Sequence, residues 1–167
     1  MIAGDAHHDN AAARRLLEES LQLYRALDFP RFIALVQLSL GTVALAEADL
    51  DRARDLLQQS LTGMKQVGEK LGIHGALDTF GHLAITRGQT ERAVRLAGAA
   101  ARLRAASGTQ SWPVVQRTRT RWLGSARQTL DETAYQAAWD QGQTMNREEA
   151  IAYALEETPV ARRGLCT

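Results

Sequence analysis

A nine-residue stretch recurs in this chain at a distance of forty positions, and that self-similarity restricts the fold more than any other feature. Ala13-Arg14-Arg15-Leu16-Leu17-Glu18-Glu19-Ser20-Leu21 aligns with Ala53-Arg54-Asp55-Leu56-Leu57-Gln58-Gln59-Ser60-Leu61, and a weaker third copy runs Ala93-Val94-Arg95-Leu96-Ala97-Gly98-Ala99-Ala100-Ala101. The preceding segment repeats as well: Leu40-Gly41-Thr42-Val43-Ala44-Leu45 matches Phe80-Gly81-His82-Leu83-Ala84-Ile85. The turn Asp49-Leu50-Asp51-Arg52 matches Gln89-Thr90-Glu91-Arg92. A fixed stride of this length belongs to a supersecondary unit that stacks on copies of itself.

Each unit is expected to be a pair of helices. Ala (28) and Leu (22) dominate the 167 residues, whereas Val (7) and Ile (5) are scarce and only three prolines interrupt the chain. That balance favours helix over strand. Leu56, Leu57 and Leu61 make one apolar stripe at helical spacing, and acidic residues before Arg52 and Arg92 suit the start of a second helix. Gly41 and Gly81 on the first helix, with Ala53 and Ala93 on the second, are small enough for neighbouring helices to approach closely. The predicted fold is all-α, built from antiparallel helix-pair superhelical repeats over residues 1–108. A helical cap (109–158) and a linker or tail (159–167) follow.

A Gly on the first helix with an Ala twelve positions later on the second resembles the tetratricopeptide repeat, across roughly residues 10–107. The departures are a period of 40 rather than the common 34, Gln37 and Leu77 in the place of the first-helix Trp, and Ala44 and Ala84 in that of the Tyr. The array opens on a half unit. Residues 10–28 read as a second helix with Ala13, Leu16, Leu17, Leu21 and Leu23 on its apolar face. A halved terminal unit leaves that face to be covered by further repeats or by a second copy of the chain.

Beyond Ser107-Gly108 the forty-residue rhythm is expected to stop. Helices are predicted at about 113–129, 131–142 and 146–157, with Pro113 in a first turn and Asn146 and Glu149 forming a capping box. The stretch 93–157 is similar to the closing segment of large bacterial LuxR-type ATPase transcriptional regulators and related adenylate-cyclase-like proteins. Ala93, Arg95, Leu96, Gly98, Ala99, Ala100, Leu103, Arg104 and Gly108 carry the first half of that pattern; Tyr135, Ala138, Trp139, Gly142, Glu149, Ala150, Ala154 and Leu155 carry the second. The resemblance implies a sensing module between an ATP-binding signalling domain and a DNA-binding helix-turn-helix, with 157–164 leading to the latter. No GxxxxGK[ST] phosphate loop occurs in this sequence.

Several function classes lose support from the same residues. No apolar run approaches the roughly 18 residues that a membrane span needs, and the start MIAGDAHHDN lacks the pattern of a secretory signal. A single cysteine, Cys166, forms no internal disulfide, which fits a cytoplasmic protein. Residues 71–130 carry a net charge of +7, and Arg117, Arg119, Arg121 and Arg127 lie near Trp112 and Trp122. A solvated helix with Trp122 in the core accounts for these better than nucleic-acid contact does. His74, Asp78 and His82 share a helical face, yet an eight-residue spread is long for one metal ion and no HExxH accompanies it. No nucleophile–base arrangement is present, so the chain is expected to be non-catalytic, without metal or cofactor. The binding candidates are first-helix positions expected to line a concave groove: Leu35, Leu38, Thr42 and Leu45 from one unit, Asp78, His82 and Ile85 from the next. Such a groove suits a protein or peptide partner, or a small-molecule effector.

Overall fold

Five residues with left-handed backbone, at intervals of twenty positions, divide most of the chain into helices: Asp28, Ala48, Gly68, Gly88 and Gly108. At the first four, two hydrogen bonds close the preceding helix. The N–H of the left-handed residue reaches back three positions, as from Ala48 to the Leu45 carbonyl (3.1 Å). The next N–H reaches back five, as from Asp49 to Ala44 (2.9 Å). These are Schellman stops, which satisfy carbonyls that a helix end would otherwise orphan. Three of the five positions are Gly, which takes this conformation without a Cβ clash.

The structure is a computed structural model that describes residues 3–156 apart from Trp112. It contains helices α1 (Ala3–Ala26), α2 (Pro30–Ala46), α3 (Leu50–Gln66), α4 (Ile73–Thr86), α5 (Thr90–Ser107), α6 (Pro113–Thr129), α7 (Glu132–Thr144) and α8 (Arg147–Leu155). Among the described residues there is no strand, so the fold is all-α. None of these helices is long and apolar enough to cross a membrane. The 159–167 tail with Cys166, the His7 and His8 side chains and Trp112 lie outside what the structure describes.

Helices α2 and α3 pack as one antiparallel hairpin and α4 and α5 as a second, each on its neighbour. Gly41 sits beneath Leu57, where a Cβ would lie 2.9 Å from Leu57 Cδ2. Gln37, in the place of an expected aromatic, is buried and donates to Gln59 Oε1 (2.7 Å), while Ser60 donates to the Ala34 carbonyl (2.7 Å). Polar groups thus tie α2 to α3 and leave no cost of burial uncompensated. The core runs through both hairpins, from Leu57, Leu61 and Met64 to Ile73, Leu77 and Leu96.

The apolar stripe of α1 is narrower than its composition implies. Leu21 is buried and Ala13 and Leu17 are half-buried, but Leu16 and Leu23 are 56% and 65% exposed. The inward positions recur at spacings of four, which places Leu16 and Leu23 off the seam.

The last three helices begin and end within two residues of their expected bounds. Helix α6 even starts at Pro113, forty positions after Ile73, although α7 does not pair with it. Instead α7 lies against α5, backbone on backbone. A Cβ on Gly142 would stand 2.0 Å from the Arg95 carbonyl oxygen, and one on Gly98 would stand 2.5 Å from that of Trp139. Helix α8 opens on the expected capping box, with Glu149 N–H donating to Asn146 Oδ1 (2.9 Å) and Asn146 N–H to Glu149 Oε2 (2.8 Å). Its Ala150, Ile151 and Ala154 join the main core. Residues of 113–155 therefore share the core of the two hairpins.

Candidate functional site

Helices α2 and α4, the first helices of the two hairpins, and α6 line an open cavity of about 570 Å³. Helix α2 contributes Leu35, Leu38, Ser39 and Thr42; α4 contributes His74, Asp78, Thr79 and His82; α6 contributes Val115, Thr118, Arg119 and Trp122. The rim is completed by Leu71 and Gly72 before α4 and by residues 109–111 before α6. A cavity of this size lies within the range that small ligands occupy.

Each wall is held for a local reason. On α4, spacings of four put His74, Asp78 and His82 on one face. The rim before α4 is pinned by Glu69, a buried carboxylate that accepts from Leu71 N–H (2.7 Å) and pairs with Arg31. Burial pushes this carboxyl up, but the Leu71 amide and Arg31 outweigh it and hold it below its usual value. Helix α6 is seated by Trp122, which is buried over Gly81: a Cβ there would lie 2.9 Å from Trp122 Cη2.

The polar floor centres on Asp78, which is 4% exposed. Its Oδ2 accepts from Arg104 Nη2 of α5 at 3.0 Å and from Arg119 Nη1 of α6 at 2.9 Å. Its Oδ1 is buried and has no hydrogen-bond partner among the described residues. Burial pushes the Asp78 carboxyl up and the two guanidiniums oppose that shift. It is the shared partner of both guanidiniums. Beside it, His74 Nε2 meets Thr109 Oγ1 at 3.0 Å, and His74 Nδ1 is buried without a partner among the described residues. Burial, reinforced by Arg104 and Arg119, lowers the His74 pKa, and burial alone lowers that of His82, so both rings are neutral at pH 7.

Of the seven groove candidates, Leu35, Leu38, Thr42, Asp78 and His82 line this cavity. Leu45 and Ile85 do not: Leu45 is buried in the core, and Ile85 packs half-buried between the two apolar clusters. The periodicity of α2 and α4 gave no warning of Arg119 and Trp122, whose inward direction is set by how α6 lies across α4. Asp78 is held by two arginines, and among the described residues no group of three His, Cys, Asp or Glu side chains has the geometry to hold a metal ion.

The arginines of the basic middle are mostly engaged. Arg87 pairs with Asp51 (2.8 Å), Arg92 caps the end of α8 at the carbonyls of Tyr153, Ala154 and Glu156, and Arg95 donates to Tyr153 Oη (2.9 Å). With Arg104 and Arg119 turned onto Asp78, Arg117 and Arg121 are left without a partner among the described residues. That is a poor backbone-tracking surface for a nucleic acid.

Protein-family models, curated proteins and solved structures were all compared with this chain. None matches it.

Proposed function

We propose that this chain is a non-catalytic, tetratricopeptide-like helical repeat module that holds a small molecule in the cavity between α2, α4 and α6, as the carboxy-terminal sensing part of a bacterial transcriptional regulator. One observation carries the binding part: an apolar-walled cavity is lined by a buried carboxylate and the Arg119 guanidinium, with Arg104 bound to the same carboxylate from behind. Apolar walls with a few fixed polar groups are the usual make-up of a ligand site. The regulator part rests on the similarity of residues 93–157 to the closing segment of LuxR-type ATPase regulators. A ligand between α4 and α6 bears on the Arg119–Asp78 contact, and so biases how the cap sits on the repeats. In a regulator, that bias passes to the assembly of the ATPase portion.

Thermal-shift screening of metabolites against the chain and its Leu38→Trp variant tests the binding part. Ligands should raise the melting temperature of the first and not of the second; hits that stabilise both equally contradict the site. Reading the gene for an upstream ATPase and a downstream helix-turn-helix tests the regulator part.

A second reading, a scaffold or homodimerisation module, is favoured by one surface. Tyr24 stacks on Phe32 with ring centroids 5.1 Å apart, and Phe29, Phe32, Leu23 and Leu27 are all exposed around them. Exposed apolar groups in one patch mark contact surfaces. Light scattering that shows a concentration-dependent dimer would support it.

A further inference from the structure

The polar floor of the cavity does not balance its own charge. Asp78 supplies one negative charge to two guanidiniums, Arg119 in the lining and Arg104 behind Asp78, outside the lining, and the other titratable lining groups, His74 and His82, are neutral at pH 7. Among the described residues no second carboxylate lines the space. The Arg104–Asp78–Arg119 cluster at and just behind the floor therefore carries one positive charge in excess, beside hydrocarbon from Leu35, Leu38, Val115 and Trp122. An uncompensated charge next to apolar walls is costly, and an anion relieves it.

The hydrogen bonding points the same way. Arg119 lines the cavity and spends Nη1 on Asp78 Oδ2 (2.9 Å) and Ser111 Oγ (3.3 Å); its Nη2 has no acceptor among the described residues. A guanidinium presents paired N–H groups that suit a carboxylate. A merely structural Arg–Asp–Arg cluster has no need of a large apolar space beside it.

Resting on the reading of the cavity as a ligand site, we infer that its ligand is a small apolar monocarboxylate, with the carboxylate on Arg119 and the hydrocarbon body against Leu35, Leu38 and Trp122. A single charge matches the excess. A cation meets repulsion from the two guanidiniums, and a neutral body of the same shape leaves Arg119 Nη2 without an acceptor.

Isothermal titration of the full chain with three probes of one hydrocarbon length, all below their micellar concentrations, tests this. The probes are octanoate, 1-octanol and octylammonium. Octanoate should bind one-to-one and at least about tenfold more tightly than 1-octanol, as a hydrogen bond to a charged group requires, and octylammonium most weakly. Arg119→Leu should bring octanoate to the level of 1-octanol, and Arg119→Lys should keep part of the preference. If 1-octanol binds as tightly as octanoate in the unaltered chain, the ligand class is wrong while the cavity reading stands. If none of the three binds, the cavity reading falls with it. A preference for octanoate that survives in Arg119→Leu also overturns the assignment. The head-group comparison needs no variant, so it stands even where Arg119→Leu fails to fold.

Discussion

The two complete hairpins share a stride and a sequence pattern, yet they fill the same notch differently. In the first, Gly41 on α2 receives Leu57 from its own partner helix α3. In the second, the position forty residues after Leu57 is Ala97, too short to reach, and Gly81 on α4 receives Trp122 from α6. The lining face diverges in parallel: Leu38 and Thr42 on α2 correspond to Asp78 and His82 on α4. One copy fills its notch from within its own hairpin. The other draws in a third helix, and that borrowed wall turns a repeat surface into a walled cleft with charge at its floor. A repeat can keep its backbone and change its use through a few side chains, because the hairpin stops and close approaches are set elsewhere.

The comparison breaks most severely at Asp78. Asp78→Asn leaves two guanidiniums without their counter-ion and should cost roughly 3–5 kcal/mol in urea unfolding, whereas Leu38→Asn at the matching, partly exposed position should cost less. Equal losses would mean that the two faces are not distinct. Trp122→Ala should cost about 3–5 kcal/mol, comparable to a core truncation although α6 lies outside both hairpins; a loss under about 1 kcal/mol would show that α6 is not seated.

Gly142→Ala and Gly41→Ala separate backbone from side-chain contact. The first meets the Arg95 carbonyl oxygen at 2.0 Å and the second the flexible end of Leu57 at 2.9 Å. Overpacking costs about 1–3 kcal/mol, more where the backbone itself must move, so Gly142→Ala should be the more damaging by thermal melting. At the joints the sign reverses. Ala48 takes a left-handed conformation that Gly adopts freely, and Ala48→Gly should stabilise by about 1 kcal/mol, while Gly88→Ala at the matching position destabilises.

The smallest effect concerns pH. His74 and His82 have folded pKa values below the ordinary 6.5, so the unfolded chain binds more protons as pH falls through the window just below that value. Their stabilising contribution is complete above it and declines on acidification. Asp78, whose pKa is raised, works in the opposite direction. The His74→Gln, His82→Gln double variant should lose stability less steeply between pH 7 and 5.5 than the parent; an identical slope would remove the histidines from the account.

Much of this architecture is legible in the sequence because it is local. The forty-residue stride, the small residues at 41 and 81, and the Asn146–Glu149 capping box are properties of short segments. They recur in the structure as hairpins, close approaches and a helix start. Leu35, Leu38, Thr42, Asp78 and His82 come together because helical spacing alone puts them on one side of α2 and α4. Arg119 and Trp122 are illegible by the same means. Both lie on a helix without a matching copy, among arginines of similar spacing, and the crossing of α6 over α4 decides which of them turns inward. The exposure of Leu16 and Leu23 is likewise a matter of which face of α1 is covered, one that recurs at spacings of four. A signal that was present and easily passed over is the spacing of Gly68, Gly88 and Gly108, which marks every second joint of the stride and the joint between.

The seating of α6 in the notch of the second hairpin is what walls the cavity, and a double-mutant cycle between Gly81 and Trp122 tests it most directly. In the parent chain Gly81→Ala should destabilise, since its Cβ falls 2.9 Å from Trp122 Cη2. In the Trp122→Ala background the same change should be neutral or stabilising by up to about 1 kcal/mol, the helix preference of Ala over Gly. An equal cost for Gly81→Ala in both backgrounds would contradict the contact, and with it the wall that makes the site.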